Sequence, residues 1–473
     1  MKNTTAIRKG KMENQLIEKT SLPDDVVYIL NMIKTNGGEA YLVGGCVRDS
    51  ILMKKPHDYD IATNLKSDKL MEIFKPNAKE VGKQFGVVKV KNVDVATFRI
   101  DGAYTDGRHP DTVLFVNDIV QDLSRRDFTI NAMAFDGERF VDPFNGMDAI
   151  RRGVIQTVNS AKVRFSEDAL RMVRAFRFSS ILGFNIANST YKAIRLMREN
   201  IRAVSKERIQ DELIKMLSGE NILGVLFSMS ASGLLFEIFP DLRICKNHPQ
   251  NKYHKYDVLE HSFRVVDATP KEKPLLRLAA LLHDVGKPAT CKDYGTPDAS
   301  FHNHEFAGAD MTETIMQGLK FSNKDIEYVT TMIRGHMFGY REEMKDGTIR
   351  RLLGRIGKER VPDLIQLKYA DRVGNGLKEY TPFSWDIKLK KRIDAIEAEN
   401  HAIKITDLAI NGDDLKTIGV EEGAFLGKLL KMCLDCVLDN PEKNTKEALL
   451  DLCKNIIEEY NKDTVGELKE RSV

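Results

Sequence analysis

The sequence predicts an α+β N-terminal domain followed by a series of all-α domains, and three observations support this fold class. Between residues 23 and 143, short apolar runs typical of strands alternate with helical segments. From about residue 163 onward the strand signals nearly vanish, and amphipathic helical patterns continue toward the C-terminus. At 473 residues the chain is too long for one hydrophobic core, and about 150 residues per domain indicates three domains or so.

The individual elements follow from local patterns. Strands are predicted where short runs are rich in β-branched and apolar residues, at 40–43, 87–90, 93–100, 113–115 and 132–135. Ser166, Glu167 and Asp168 are typical of a helix start, and the Arg-rich amphipathic run from there to Leu182 predicts one long helix. Ser205, with acidic residues in the turns after it, predicts a further helix that extends to Leu217.

Composition excludes several classes of protein. Hydrophobic residues make up 42% and charged residues 30% of the chain, which describes an ordinary soluble globular protein. No run approaches the ~18 apolar residues of a membrane span, so we expect no membrane partner. Residues 1–22 carry positive charge without an apolar core, which argues against a secretory signal and favours an N-terminal tail. The six scattered cysteines fit reduced thiols, and we therefore expect a cytoplasmic protein.

The most informative segment is GGCVRDSILMKKPHDYD, residues 44–60. An apolar run enters Gly44 and Gly45, and paired glycines let the backbone approach a ligand closely. A helix-like segment follows, whose opening amides favour an anion such as a triphosphate. A new strand then carries Asp58 and Asp60, which project to the same side and repel each other unless a cation lies between them. A phosphate cradle beside a metal clamp predicts phosphoryl or nucleotidyl transfer, while a Gly-rich turn before a surface Asp-x-Asp is the plain alternative.

The longer string YLVGGCVRDSILMKKPHDYDIAT, residues 41–63, resembles the class II tRNA nucleotidyltransferase and bacterial poly(A) polymerase family. The resemblance continues through later motifs and covers most of the chain. It implies a polymerase beta-like nucleotidyltransferase head followed by all-α neck, body, HD and tail domains. The expected boundaries are 1–22 for an N-terminal tail, 23–150 for the head, 151–250 for the neck and body with base selection and RNA binding, 251–375 for the HD domain, and 376–473 for a helical, tRNA-binding tail.

The resemblance implies roles for further residues of the head. Asp94, in VDVATFR, is a candidate third acid that would take the proton of the attacking hydroxyl or hold a second metal. The string SRRDFTINAMAFD, residues 124–136, offers two guanidinium forks for a triphosphate. The expected nucleotide-binding residues of the head are Gly44, Gly45, Arg48, Arg99, Arg125, Arg126, Asp127 and Asn131. The loop 102–115, with Arg108, resembles a family loop associated with the switch to ATP.

A base-selecting pair is predicted after the head. Asp168 and Arg171 are three positions apart, so on a helix they would lie on one face. A carboxylate only accepts and a guanidinium only donates hydrogen bonds, which complements the edges of cytosine and adenine but not those of uracil and guanine. The family motif EDxxR implies this role, and an i,i+3 surface ion pair is the alternative. Further candidates are Arg174 and Arg177 for nucleotide binding, and Arg208 and Glu212 for support of the pocket.

Basic residues crowd the first helical region, and a second cluster lies between residues 350 and 360. Charge clusters are often only solvated faces. Beside a nucleotidyltransferase head, however, phosphate contacts along an RNA become the better interpretation. The RNA-binding candidates are Arg195, Arg202 and Lys206.

Histidines are concentrated between residues 248 and 336, and their order resembles the HD superfamily of metal-dependent phosphohydrolases. The metal-binding candidates that this resemblance implies are His261, His283, Asp284 and Asp371 for one site, with His304 and His336 for a second. Such imidazole and carboxylate donors suit a transition metal, or Mg²⁺ with fewer imidazoles, and can generate hydroxide for phosphoester hydrolysis. An inert HD domain that persists as a scaffold is the alternative.

Together these features predict template-independent addition of CCA to the 3′ end of tRNA from CTP and ATP by a two-metal mechanism. Mg²⁺ is the expected cofactor, with Asp58 and Asp60 as its essential ligands. An A-adding tRNA nucleotidyltransferase or a poly(A) polymerase is the alternative at the same site, because product specificity depends on loop and body geometry. A phosphohydrolase of the HD type and a non-catalytic RNA-binding protein are alternatives of other classes. The sequence leaves the oligomeric state open.

Overall fold

The computed structural model describes residues 22–82, 85–102, 111–377, 385–399 and 401–470. The chain divides into two compact units. The first contains the described chain up to Ile244 together with Pro270–Pro274 and Ile315–Ser322, and the second contains Cys245–Thr269, Leu275–Thr314 and the chain from Asn323 onward. Arg108 and nearly all of the predicted N-terminal tail lie outside the described residues.

The first unit begins with a mixed head. Its elements in chain order are α1 (Asp24–Thr35), β1 (Ala40–Val43), α2 (Gly45–Ile51), β2 (Asp60–Thr63), α3 (Ser67–Phe74), β3 (Ala78–Gly82), β4 (Val87–Val90), β5 (Val93–Thr97), β6 (Arg99–Asp101), β7 (Val113–Phe115), α4 (Ile119–Ser124), a 3₁₀ turn (Thr129–Asn131), β8 (Ala134–Phe135), β9 (Phe140–Val141), α5 (Gly146–Arg151) and β10 (Val154–Ile155). Seven strands form one sheet in the order β3-β4-β5-β2-β1-β8-β9, and β6 pairs with β7 separately.

Alternation along the strands builds the core and leaves a carboxylate outside it. In β5, Val93 and Val95 are buried while Asp94 between them is exposed, as the two-residue period of a strand requires. Strand β5 runs parallel to β2, and the register places Asp94 opposite Asp60. The sheet therefore brings two predicted site residues together that are far apart in sequence.

Most of the predicted strands are confirmed, and two are shorter than expected. The runs 40–43, 87–90 and 113–115 form strands with the predicted bounds. The run 93–100 is interrupted at Phe98, where β5 ends and β6 begins in another sheet. In the run 132–135 only Ala134 and Phe135 are in a strand, because a 3₁₀ turn occupies the residues just before.

The rest of the first unit is almost entirely helical. Its elements are α6 (Ala161–Glu167), α7 (Leu170–Leu182), β11 (Asn185–Ile186), α8 (Asn188–Met197), a 3₁₀ helix (Arg198–Ala203), α9 (Lys206–Leu217), α10 (Ile222–Ser232), α11 (Leu234–Ile238) and a 3₁₀ helix (Pro240–Arg243). The helix predicted after Ser205 is confirmed as α9, with Ser205 at its N-cap position.

The single helix predicted from Ser166 to Leu182 is wrong. Helix α6 ends at Glu167, the backbone is extended at Asp168 with φ −149°, and α7 begins at Leu170. The Asp168 carboxylate accepts a hydrogen bond from the Leu170 backbone N–H at 3.0 Å. Asp168 therefore interrupts the helical run in the way that aspartate does before a new helix, by binding a backbone donor that would otherwise have no partner.

From residue 258 onward every described element is a helix. In chain order these are α12 (Val258–Ala268), α13 (Pro274–Leu282), α14 (Lys287–Thr290), α15 (His304–Gly318), α16 (Asn323–Gly335), α17 (Asp346–Ile356), a 3₁₀ turn (Lys358–Arg360), α18 (Val361–Gly374), α19 (Trp385–Ala398), a 3₁₀ turn (Ile405–Asp407), α20 (Gly412–Thr417), α21 (Ala424–Asp439), a 3₁₀ turn (Pro441–Lys443) and α22 (Lys446–Glu470). An α+β head followed by helical regions is thus confirmed. In the described part of the chain no helix has the length and apolar character needed to span a bilayer.

Candidate functional sites

Three exposed carboxylates lie together on the head sheet, and we call Asp58, Asp60 and Asp94 the carboxylate site. Asp60 is the first residue of β2 and faces Asp94 across the parallel β2–β5 pair. Asp58 was expected within the strand, but it lies just before β2 begins. Partial burial raises the pKa of Asp60, and the charges of Asp94 and Asp58 raise it further against the opposing effect of Arg126. Carboxylates that destabilise each other in this way are suited to hold a divalent cation.

The glycine turn lies against this site. Gly44 has a φ of +78°, and a side-chain Cβ there would lie 2.9 Å from Nη1 of Arg126 and 3.8 Å from Oδ2 of Asp60. Gly45 begins α2 directly afterwards. Glycine is therefore required at position 44 for two reasons. Its backbone conformation disfavours any residue with a side chain, and the Arg126 guanidinium occupies the space next to the position of a Cβ.

Buried acids anchor the arginines that follow α4. Asp122, in α4 itself, accepts Arg125 Nη2 at 2.9 Å and lies 3.5 Å from Arg126 Nη2. Burial disfavours the charge of Asp122, yet these two guanidiniums hold its pKa below the usual value. Asp101 accepts a hydrogen bond from Arg99 Nε at 3.0 Å. Neither acid was predicted, although the i,i+3 and i,i+4 spacing of Asp122 to Arg125 and Arg126 was a usable signal.

Asp127 is the centre of a buried polar network. Its carboxylate accepts from Arg174 Nε at 2.9 Å and from Asn131 Nδ2 at 3.1 Å. The Asn131 side-chain oxygen in turn accepts from Arg48 Nη1 at 2.7 Å. Burial opposes ionisation of Asp127, but the Arg174 charge and these hydrogen bonds lower its pKa to about 2. Four of the predicted nucleotide-binding residues are therefore one connected group.

Glu212 of α9 joins Arg174 to a further arginine of α7, Arg177. Its carboxylate lies 3.3 Å from Arg174 Nη1 and 3.1 Å from Arg177 Nε, and its side chain is buried. Burial and the neighbouring Arg174 lower the pKa of Arg177 to about 10. Glu212 thus holds two crowded cations next to each other, which is the contact expected of a supporting residue.

Asp168 and Arg171 do not share a helix face, contrary to the prediction, because the helix is interrupted between them. Arg208 Nη2 donates to Asp168 Oδ2 at 2.6 Å. Arg171 Nη1 donates to Glu167 Oε2 at 2.6 Å, and Arg171 Nη2 donates to the Arg125 carbonyl oxygen at 3.2 Å. Each member of the predicted pair is therefore oriented by a different partner. The role of Glu167 as the partner of Arg171 was not foreseen.

The predicted RNA-binding residues lie on or near the surface of the first unit. Arg195 is exposed near the end of α8, and Lys206 is half-buried at the start of α9. Arg202 is exposed and its Nη2 lies 2.6 Å from Oε2 of the buried Glu237. These positions leave cationic groups available to a polyanion.

A second group of polar residues lies in the second unit, and we call it the histidine centre. Its buried members are His261, His283, Asp284, His304 and His336, and Asp371 is half-buried. In His283, His304 and His336, Nδ1 lies 2.8, 2.7 and 2.6 Å from the carbonyl oxygen three residues earlier. A donor at Nδ1 leaves Nε2 as the lone-pair nitrogen, which is the arrangement of metal-binding histidines.

The Nε2 atoms of the histidine centre converge on the carboxylates. His261 Nε2 lies 3.1 Å from Asp371 Oδ1, His283 Nε2 lies 3.1 Å from Asp284 Oδ2, and the Nε2 atoms of His304 and His336 lie 3.2 Å apart. Two overlapping groups have ligand atoms within 4.8 Å of one another, namely His261, His283 and Asp371, and His283, Asp284 and His336. The donor set therefore fits a metal ion.

The charges of the histidine centre support the same conclusion. Burial disfavours ionised Asp284, but His283 and Lys287 hold the pKa of its carboxyl well below the usual value. Burial lowers the pKa of His336 to about 3, so its imidazole is neutral at physiological pH. Lys287 was not predicted, although it follows Asp284 at i+3. A cavity of about 590 Å³ opens on the centre, with Lys287, His302 and Lys368 among its lining residues.

Comparisons with known proteins place three families along the chain. The family model described as the poly A polymerase head domain matches residues 40–156, which contain the carboxylate site. The model for a probable RNA and SrmB binding site of polymerase A matches residues 183–245. The HD domain model matches residues 252–376, which contain the histidine centre.

Individual relatives agree with the family models. A CCA-adding enzyme of Oceanobacillus iheyensis is 45% identical over 199 residues, and one of Staphylococcus aureus is 44% identical over the same length. These alignments cover 41% of this chain, and they span only half the length of the two relatives. The crystal structure of the Bacillus stearothermophilus CCA-adding enzyme in complex with CTP covers 93% of this chain and 98% of its own, with 28% identity and a TM-score of 0.66.

Similar architecture extends to more distant structures. A Thermotoga maritima CCA-adding enzyme complexed with tRNA shares 18% identity with a TM-score of 0.51, which shows likeness of fold. The motifs of the head, the polymerase head model and the long structural match all agree. The chain carries a poly A polymerase head domain, a region that matches the RNA-binding model of polymerase A, and an HD domain, and its fold is similar to that of CCA-adding enzymes.

Proposed function

We propose that this protein adds CCA to the 3′ end of tRNA without a template, with CTP and ATP as donors. The observation that carries the proposal is the convergence of Asp58, Asp60 and Asp94 beside the Gly44 turn and Arg126. It is supported by the relatives in Oceanobacillus and Staphylococcus, which are CCA-adding enzymes, and by the 28% identical structure that contains CTP. The substrates of this reaction imply a cytoplasmic location.

The carboxylate site fits Mg²⁺, because its donors are hard oxygen ligands whose repulsion a cation would relieve. We assign the ion to Asp58 and Asp60. When bound, Mg²⁺ would neutralise triphosphate charge and favour ionisation of the tRNA 3′-hydroxyl. Asp94, opposite Asp60 in the sheet, would accept the 3′-hydroxyl proton on its carboxylate or hold a second ion. The 3′-oxygen then attacks the α-phosphorus and pyrophosphate leaves.

The arginines of the head and of α7 would hold the triphosphate. Arg125 and Arg126 follow α4, and Arg48, Arg174 and Arg177 are joined by hydrogen bonds or ion pairs to Asn131, Asp127 and Glu212. Guanidinium groups present planar pairs of donors that match phosphate oxygens. Gly44 and Gly45 would let the backbone approach the same phosphates, and Arg99 would contribute at the edge of this group.

Asp168 and Arg171 would read the base. The Asp168 carboxylate would accept the exocyclic amine of cytosine or adenine, and Arg171 would donate to the adjacent ring nitrogen. Uracil and guanine present the opposite pattern at these edges. Arg208 holds Asp168 in the helix break and Glu167 holds Arg171 in α7, so the acceptor and the donor are held by different partners.

The helical parts would carry the tRNA. Arg195, Arg202 and Lys206 would contact backbone phosphates, which makes binding salt-dependent. On this proposal the functional divisions are a head at 23–150, a neck and body at 151–250, an HD domain at 251–375 and a tRNA-binding tail at 376–473. The matched RNA-binding model at 183–245 supports the second of these.

The test is nucleotide addition to tRNAs that end before CCA, after the first C, and after CC. With purified protein, Mg²⁺, CTP and ATP, we expect C, C and A in turn, with termination after A. Asp58→Ala should abolish addition, whereas Asp68→Ala, which removes an exposed acid of α3, should leave it unchanged. Addition of A alone to the CC end would indicate an A-adding enzyme, and untemplated A tracts on any RNA would indicate a poly(A) polymerase.

A second activity is favoured by the histidine centre, and we propose that it is a metal-dependent phosphohydrolase site. The supporting observation is the set of Nε2 atoms that converge on the carboxylates of Asp284 and Asp371. We expect protein dialysed against Mn²⁺ or Ni²⁺ to retain metal and to hydrolyse a chromogenic phosphodiester. Asp284→Asn should lose both properties, and His401→Gln, which lies outside the centre, should keep both. Metal-loaded protein without hydrolysis would favour a structural centre.

A further inference from the structure

One aromatic ring is shared by three arginines of the proposed triphosphate site. Phe178 of α7 is 5% exposed, and the guanidinium carbons of Arg48, Arg174 and Arg177 lie 5.1, 5.5 and 4.1 Å from its ring centroid. Arg48 comes from α2, directly after the glycine turn, whereas the other two come from α7. The ring therefore connects two elements that the nucleotide must contact together.

The orientation of this ring is itself fixed. Phe128 packs edge-to-face against Phe178, with centroids 5.8 Å apart and planes at 81°. Phe128 directly follows Asp127, whose carboxylate holds Arg174. The same short segment therefore positions one arginine through a charge and the aromatic ring through packing.

A neutral aromatic ring is suited to this task for an electrostatic reason. Three cations repel one another, and added carboxylates would hold them only by cancelling charge and occupying N–H donors that a triphosphate needs. The negative face of an aromatic ring attracts a cation without using any of its N–H groups. Phe178 thus adds to the hold that Asn131, Asp127 and Glu212 have on these arginines, without taking any further N–H group.

We propose that Phe178 is a positioning residue that holds Arg48, Arg174 and Arg177 for the triphosphate of the incoming nucleotide. This inference rests on the proposed function, in which these arginines bind the triphosphate. A side chain that only fills the core would depend on its size and apolar character. The positioning role of Phe178 instead depends on the electron density of its ring. The two roles can therefore be distinguished by changing that density while the size of the ring is kept.

The experiment replaces Phe178 with phenylalanines that carry one, two or three ring fluorines, which weaken the negative face of the ring while nearly keeping its shape. The same series at Phe176 is the matched control, because Phe176 is buried in the same helix and no guanidinium stacks on it among the described residues. We expect KM for CTP and for ATP to rise stepwise at Phe178, by ~2- to 30-fold with three fluorines, with a smaller change in kcat. Phe178→Leu should raise KM at least as much, and thermal melting should show that each variant is folded.

Direct CTP binding by calorimetry separates failure of this inference from failure of the proposed function. If wild-type protein adds no nucleotide but binds CTP, the proposed function fails and the dissociation constants of the fluorinated series still test the inference. A KM and a dissociation constant that are insensitive to fluorination, or that change equally in the Phe176 series, would overturn it. Absence of CTP binding by the wild type would overturn both.

Discussion

Asp168→Ala tests the base-reading proposal most directly. In the structure the Asp168 carboxylate accepts hydrogen bonds from Arg208 Nη2 at 2.6 Å and from the Leu170 backbone N–H at 3.0 Å. A carboxylate has about four acceptor sites, so it can still accept the amine of a cytosine or adenine. With alanine at this position, CTP and ATP lose the hydrogen bond that their exocyclic amine donates to the carboxylate. UTP loses no hydrogen bond, because uracil has no amine at that position.

The magnitude follows from the value of one charged hydrogen bond. Such a bond contributes ~1.5–3 kcal/mol, and each 1.4 kcal/mol corresponds to a factor of ten. We therefore expect the ratio of kcat/KM for CTP over UTP to fall by ~10- to 100-fold. The released Arg208 guanidinium would also be free to donate to the uracil carbonyl, which moves the ratio in the same direction.

The assay is single-nucleotide addition to tRNA lacking CCA, with CTP and UTP measured separately at fixed Mg²⁺. Loss of the contact to the Leu170 N–H should cost ~0.5–2 kcal/mol of stability, so melting is measured in parallel. Asp211→Ala, which removes an exposed acid of α9 paired with Lys215, is the control and should not change the ratio. A CTP to UTP ratio within threefold of wild type in folded Asp168→Ala would refute the reasoning.

Three further predictions concern other parts of the molecule. Asp127→Asn should destabilise the protein by ~2–3 kcal/mol near neutral pH. Because the folded pKa is lowered to about 2, the stability from Asp127 is present above its ordinary pKa and is lost as pH falls toward 2, so the melting temperatures of wild type and variant should converge between pH 4 and pH 2. Gly44→Ala should reduce nucleotide addition by at least ~10-fold, because it adds strain at φ +78° and displaces Arg126. The control is Gly137→Ala, at φ +97° with open space around it, which should lower the stability by a similar amount without loss of activity. Treatment with 1,10-phenanthroline should remove a transition metal from the histidine centre, measured by elemental analysis, without stopping Mg²⁺-dependent nucleotide addition.

The sequence was sufficient for those parts of the fold and site that depend on local order. Short β-branched runs gave the strand positions, since the two-residue period is readable in four residues. The pairing of Asp60 with Asp94 was reachable only through the family resemblance, because the register of two strands depends on the whole sheet. The helix break at Asp168 was missed because its side chain competes for a backbone donor in a run that otherwise has helical periodicity.

The supporting residues were harder to predict than the residues they support. Asp101 and Phe178 contact arginines without any motif that marks them, whereas Asp122 could have been found from its spacing to Arg125 and Arg126. Glu212 was a candidate only because its helix resembles a family motif, and its contact with two arginines of α7 bridges 35 and 38 positions of sequence. The type of a charged residue indicates which ligands it can bind and can be read from the sequence. The partner that fixes the orientation of that residue depends on tertiary structure.

The two centres differ in chemistry in a way that follows from their donors. The carboxylate site offers only oxygen atoms, and partial burial, together with the charges of Asp94 and Asp58, raises the pKa of Asp60. The histidine centre offers buried imidazole nitrogens, three of the imidazoles are oriented through Nδ1, and burial lowers the pKa of His336 to about 3. Oxygen donors favour Mg²⁺, which usually keeps several waters, while imidazoles favour transition metals. Because the centres share no candidate ligand, removal of a metal from one would leave the donors of the other unchanged, so the two proposed phosphate chemistries would be under independent metal control.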